Sequence, residues 1–103
     1  MKMNEIPVDI EVRDLLNAAA NTIERYGWEQ RQWGSRGQGF CVLGAMIEAT
    51  PNACLFPVHK TFDRARTHLR NTIQCESLTL WNDEEAQSQE QVVRVMRAAA
   101  ETA

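Results

Sequence analysis

Cys41 is the residue whose type most readily suggests chemistry. A thiol acts as a nucleophile only as the thiolate, with a base nearby and some exposure. The two histidines, His59 and His68, are the candidate bases, and nothing in their spacing places either beside Cys41. Free cysteine is among the most buried residue types, so a packed thiol is the expected reading. Cys54, His59, His68 and Cys75 would supply four metal donors. Their Cys-x4-His and His-x6-Cys spacings are not those of zinc modules, and no metal or other cofactor is expected. Gly34-Ser35-Arg36-Gly37-Gln38-Gly39 invites a phosphate-loop reading, because free N–H groups ahead of a helix can cradle an anion. Phe40-Cys41 stand where such a loop has Lys and Ser/Thr, and no strand precedes it. A flexible loop entering a buried helix is the plainer expectation.

Residues suited to contact are better represented than residues suited to catalysis. Trp33 lies in a polar, glycine-rich stretch with Arg31 and Arg36 close in sequence. Trp and Arg are favoured anchors of protein–protein hot spots, although Trp33 can equally fold back over the end of the domain. Lys60, Arg64 and Arg70, with Arg66 and His68 nearby, form a basic cluster interrupted by Asp63. Phosphates or an acidic protein would suit this cluster, and a helix that follows a turn is a helix-turn-helix feature. Pairing with the acidic stretch 82–90, which holds Asp83, Glu84 and Glu85, is the structural alternative. Trp81-Asn82-Asp83 would support polar chemistry. A buried Trp81, with Asn82 and Asp83 bonded to local backbone as Asx residues are in turns, is the expected role.

Four helices would have to position these groups. Val12, Leu15, Leu16, Ala19, Ile23 and Tyr26 recur at spacings of three and four, which predicts a helix over 10–26, opened by Asp9 and stopped on a left-handed Gly27. Trp28 would fold back onto its last turn. Residues 28–38 then read as a long loop, and long loops in small domains are often functional. Gln38 to Ala49 is apolar almost all round, with Glu48 its only charge, so a helix over 38–49 must be covered on several sides. The aromatic and β-branched residues Phe40, Val42 and Ile47 also permit a short buried strand there. Pro57 would open a third helix over 57–72, with the basic cluster opposite Val58, Phe62, Ala65, Leu69 and Ile73. Residues 74–87 are mixed, with Leu78, Leu80 and Trp81 anchored. Ser88 and Gln91 form a capping box that starts a last helix, over 89–102. The expected fold is all-α, a single four-helix domain, bundle or orthogonal array, with a lead-in over 1–8.

Composition narrows the class. At 103 residues and 44% apolar content the chain suits one globular core. No apolar run would span a bilayer, and Met1 to Asp9 is unlike a signal peptide, so a soluble, cytoplasmic protein is expected. Three cysteines without Cys-x-x-Cys spacing read as reduced thiols. The net charge of −3 makes a poor generic nucleic-acid binder.

Leu15-Leu16-Asn17-Ala18-Ala19, Gly27-Trp28, Cys41-Val42-Leu43-Gly44-Ala45 and Leu80-Trp81-Asn82-Asp83 ahead of Ser88 to Val92 occur in an order that extends over nearly the whole chain. This order resembles an uncharacterised family of small α-helical proteins, a domain of unknown function. Its members occur in bacteria, actinobacteria especially, and in their phages and mobile elements. The resemblance implies a helical fold and that genomic setting, and no catalytic residues. With it, the expected function is a non-enzymatic interaction module. Its concrete form is a phage or mobile-element counter-defence protein that binds a bacterial host complex as anti-CRISPR inhibitors do. The expected contacts are the loop 28–38, the basic third helix and the acidic stretch 82–90. A nucleic-acid-binding regulator using the third helix and a small enzyme using Cys41 are the alternatives.

Overall fold

The computed structural model describes residues 11–50 and 60–103. The expected lead-in, Asp9, Pro57, Cys54, His59 and the first residues of the expected third helix lie outside them. Helix α1, Val12–Tyr26, buries Leu15, Leu16, Ala19, Ala20 and Ile23. These sit three or four residues apart, so one stripe of a 3.6-residue helix carries them all. The stripe lies against three partners: helix α2 (Val42–Ala49), helix α3 (Lys60–Ile73) and helix α5 (Gln89–Glu101). The apolar helix α2 is covered on several sides, as expected, by α1, α3 and the segments on either side of it, but α1 rather than this stretch is the hub. Met46, Phe62, Leu69, Leu78, Val92 and Met96 fill the core around it. Arg97 of α5 ties the two longest-packed helices across their surface, bonding Glu24 at 2.7 Å and Asn21 at 2.7 Å on α1.

Residues 38–49 do not form one helix. Gly39–Phe40 is a strand, β2, paired antiparallel with β1, Gly34–Ser35, in register Gly34 with Phe40. Cys41 caps α2 instead of lying inside it, its Sγ accepting from the Gly44 N–H at 3.2 Å. The strand wins at Phe40 because its N–H donates to the Gly27 carbonyl at 2.9 Å and its carbonyl accepts from Glu29 at 3.0 Å, a bridge no helix could make. Gly39 permits the approach: at φ 100 its missing Cβ would have met the Gly27 carbonyl group. Gly27 does end α1, at φ 104 and ψ 168, which is an extended positive-φ conformation and not the left-handed helical one.

The stretch expected to be mixed contains a further helix. Ser77 accepts from the Leu80 N–H and opens a three-residue helix, α4, Leu78–Leu80. It passes directly into a π turn, Trp81–Glu85. The described fold is thus mostly helical, with five α-helices and a small sheet, where four helices and a bare loop were expected. Leu80, expected to be anchored, is 62% exposed, while Leu78 and Trp81 are buried. Ser88 caps α5 through the Gln91 N–H at 3.1 Å, and the Gln91 side chain reaches back to the Gln87 N–H at 2.7 Å, one residue earlier than a standard capping box would have it. Among the described residues no helix is long and apolar enough to cross a membrane.

Candidate functional site

The loop between α1 and α2 is a built structure. Its centre is Asn82 in the π turn, with no exposed surface at all. Asn82 Oδ1 accepts from the Trp28 indole N–H at 2.8 Å and from the Val42 backbone N–H at 3.0 Å. Its Nδ2 donates to the Glu29 carbonyl and to Asp83 Oδ1, both at 3.0 Å. The neighbouring backbone joins in, as Gln30 Nε2 donates to the Asn82 carbonyl at 3.0 Å. Asp83 Oδ1 also accepts from the Arg31 N–H at 2.8 Å. Expected to bond local backbone, Asn82 and Asp83 instead clamp a segment about fifty residues away, and π turns of this kind are frequent at functional sites. Trp28, expected to fold onto the end of α1, points its indole N–H into the same clamp.

What the clamp holds out is Trp33. It is 58% exposed, so it does not fold back over the domain. Its own carbonyl is fixed from behind, accepting from the Cys41 N–H at 3.2 Å and lying against Gly44, where a Cβ would collide with it. Arg31 beside it adopts φ 68, a left-handed conformation that costs a non-glycine residue about 1 kcal/mol. Among the described residues its guanidinium makes only a long, exposed ion pair with Glu84, at 3.9 Å. Arg36, at the hairpin turn, is a brace: it bonds Glu48 through Nε at 2.8 Å and through a second ion-pair contact at 2.6 Å, and it lies 5.8 Å from the Tyr26 ring. That pairing pushes the Arg36 pKa further up. Arg31, close to Trp33 in sequence, is therefore brought together with Asp83 and Glu84, Arg36 is exposed but engaged with Glu48, and Glu85 is exposed without an ion pair among the described residues.

The basic helix stands apart from this region. Among the described residues, no hydrogen bond or ion pair joins Lys60, Arg64 or Arg70 to the hairpin or to residues 83–85. The expected pairing of these arginines with the acidic stretch is thus corrected: the acids face the Arg31 segment. Arg66 pairs within its own helix, with Asp63 at 3.7 Å. Arg70 Nε is buried with no hydrogen-bond partner among the described residues. Arg64 lines an open polar cleft of about 770 Å³ with Glu11, Arg13, Thr61, His68 and Thr102. His68 is engaged there, its Nε2 at 2.9 Å from the Ala99 carbonyl and 3.0 Å from Thr102 Oγ1.

The chemical readings fare less well. Burial pushes the Cys41 thiol up, with the Gly44 N–H opposing only in part, so the thiolate needed for nucleophilic attack is disfavoured. Cys75 is raised by the same cause, although Arg70 nearby acts to lower it. No group of three or more His, Cys, Asp or Glu residues converges among the described residues, and Cys54 and His59 lie outside them. Where a phosphate loop would offer N–H groups at the entry to its helix, those of Gln38, Phe40 and Cys41 bond backbone carbonyls, and those of Val42 and Gly44 bond side chains. Searches of curated proteins and of solved structures return no match. A family model does match, over residues 7–102, and the chain belongs to that family, the family of unknown function DUF6197.

Proposed function

We propose that the chain is a non-enzymatic protein–protein interaction module that docks through Trp33. The observation that carries this reading is a large aromatic side chain, 58% exposed, held on a hairpin that the rest of the molecule braces. Rigid support matters because a preordered anchor loses little entropy on binding. Arg31, two residues away and bonded to Asp83 and Glu84, brings charge to the same loop, which suits the polar rim that encloses most hot spots. The strained backbone at Arg31 agrees with this, since such strain gathers at functional sites.

The finer version rests on the resemblance to small helical proteins of bacteria, especially actinobacteria, and of their phages and mobile elements. In that setting the partner is a bacterial host protein or complex in the cytoplasm, and docking blocks it, as an anti-CRISPR inhibitor would. Affinity capture from bacterial lysate with the tagged chain tests the reading. A stoichiometric protein partner that disappears with Trp33→Ala supports it. Capture that is unchanged by Trp33→Ala overturns it. A second reading, nucleic-acid binding by α3, is favoured by one observation: Lys60 and Arg64 are exposed and make no ion pair among the described residues.

A further inference from the structure

We infer that Asn82 is the positioning residue of the Trp33 hairpin, and that its side-chain amide, not the space it fills, sets where Trp33 stands. A primary amide can accept two hydrogen bonds and donate two. Asn82 makes all four in a fully buried site. The Trp28 indole N–H and the Val42 backbone N–H can only donate. The Glu29 carbonyl can only accept, and Asp83 Oδ1 already accepts from the Arg31 N–H. The amide therefore has one orientation: turned over, it would set NH2 against two donors and oxygen against two acceptors.

The four partners belong to three separate pieces of chain. Val42 is the first residue of α2, so Asn82 supplies a hydrogen bond that its own helix cannot give it. Trp28 and Glu29 form the base of the loop, and Asp83 passes the connection on to Arg31. Trp33 lies between Arg31 and β1, so both of its flanks are held by groups that meet at Asn82. Hydrophobic burial is non-directional and would accept any side chain of similar volume here. The amide is the directional component, and a half-satisfied polar network in this position is worse than none.

Two near-isosteric substitutions separate these roles in the isolated full chain. Asn82→Leu keeps the branched shape of the side chain, in a larger volume, and removes all four bonds. Asn82→Asp keeps the acceptor side toward Trp28 and Val42, and sets an oxygen against the Glu29 carbonyl and Asp83. Two-dimensional NMR reads the Trp28 indole N–H and the amides of Glu29, Arg31 and Phe40, with Leu16 and Met96 as references in α1 and α5. With Asn82→Leu, the Trp28 indole proton exchanges about tenfold or more faster relative to Leu16 in the same sample. The Glu29, Arg31 and Phe40 signals shift as well. With Asn82→Asp, the Glu29 and Arg31 amides shift while the Trp28 indole stays protected. Both variants leaving residues 28–40 unmoved would overturn the inference, and so would loss of order spread evenly into α1 and α5. Should Asn82→Leu fail to fold, the Asn82→Asp pattern decides alone. No partner takes part, so unchanged capture by Trp33→Ala would sink the docking reading and leave this inference standing.

Discussion

Trp33 is exposed and its backbone, not its side chain, carries the contacts that hold the hairpin, so binding and stability separate at this residue. Trp33→Ala is expected to shift the urea unfolding free energy by no more than about 0.5 kcal/mol, as exposed substitutions do, while partner capture is lost. A destabilised Trp33→Ala would mean that the indole packs in solution, and the docking surface would have to be sought elsewhere. Cys41 behaves in the opposite manner. Burial raises its thiol pKa in the native state above an unfolded value of about 8.5. Below that pH both states keep the proton and the thiol adds no pH dependence. Above it the unfolded chain releases the proton first, so the native state binds more protons and stability falls with rising pH until the native pKa is passed. The decline in urea midpoint from pH 7 to pH 10 is therefore expected to be shallower in Cys41→Ala than in the unaltered chain. Superimposable declines would show that the native thiol titrates normally and would reopen the enzyme reading.

At the scale of elements, the glycines show how the hairpin is seated. Gly44 gains helix propensity of about 1 kcal/mol on change to Ala, but the new methyl would strike the Trp33 carbonyl, a backbone group that cannot swing away. Overpacking of that kind costs about 1–3 kcal/mol. Gly44→Ala is expected to be destabilising on balance and to move the Trp33 indole resonance, while Gly37→Ala, with nothing within 4 Å, is neutral or mildly stabilising. Urea titrations of the two variants check this, and equal stabilities would show that α2 and the hairpin are not in register as described. The same elements show what a sequence can reveal. Helices α1, α3 and α5 are legible because their buried residues repeat every three or four positions. Ser88 announces the start of α5 by local capping chemistry alone. The strands are only faintly legible: each is two residues long, too short for an alternating pattern, and although Phe40 permits a short buried strand, β2 runs straight into apolar α2. Trp33 is visible as a residue that packing does not readily explain, since a large aromatic stands among polar residues and glycines. Asn82 is beyond reach of such reasoning, because its partners lie as far as 54 residues away, whereas Asx chemistry read locally suggests a turn.

Over the whole molecule, charge divides between two surfaces, the basic helix α3 and the Trp33 hairpin, and this division decides between the remaining readings. The chain is net acidic at −3, yet residues 57–73 carry Lys60, Arg64, Arg66 and Arg70 against Asp63 alone. Phosphate binding through Lys60, Arg64 and Arg70 releases about three counterions, so raising salt from about 50 to 200 mM would weaken it roughly fortyfold. A docking surface built on an indole and an exposed ion pair is governed by burial, which salt leaves nearly unchanged, within about threefold. The two surfaces share no polar contact among the described residues, so their variants act independently. Arg64→Glu combined with Arg70→Glu is expected to leave protein capture intact and to remove any nucleic acid retained at low salt. Trp33→Ala is expected to do the reverse. If the charge-reversed variant instead loses the protein partner at high salt, the docking surface extends over α3, and the Trp33 hairpin is one anchor of a larger interface that wraps the molecule.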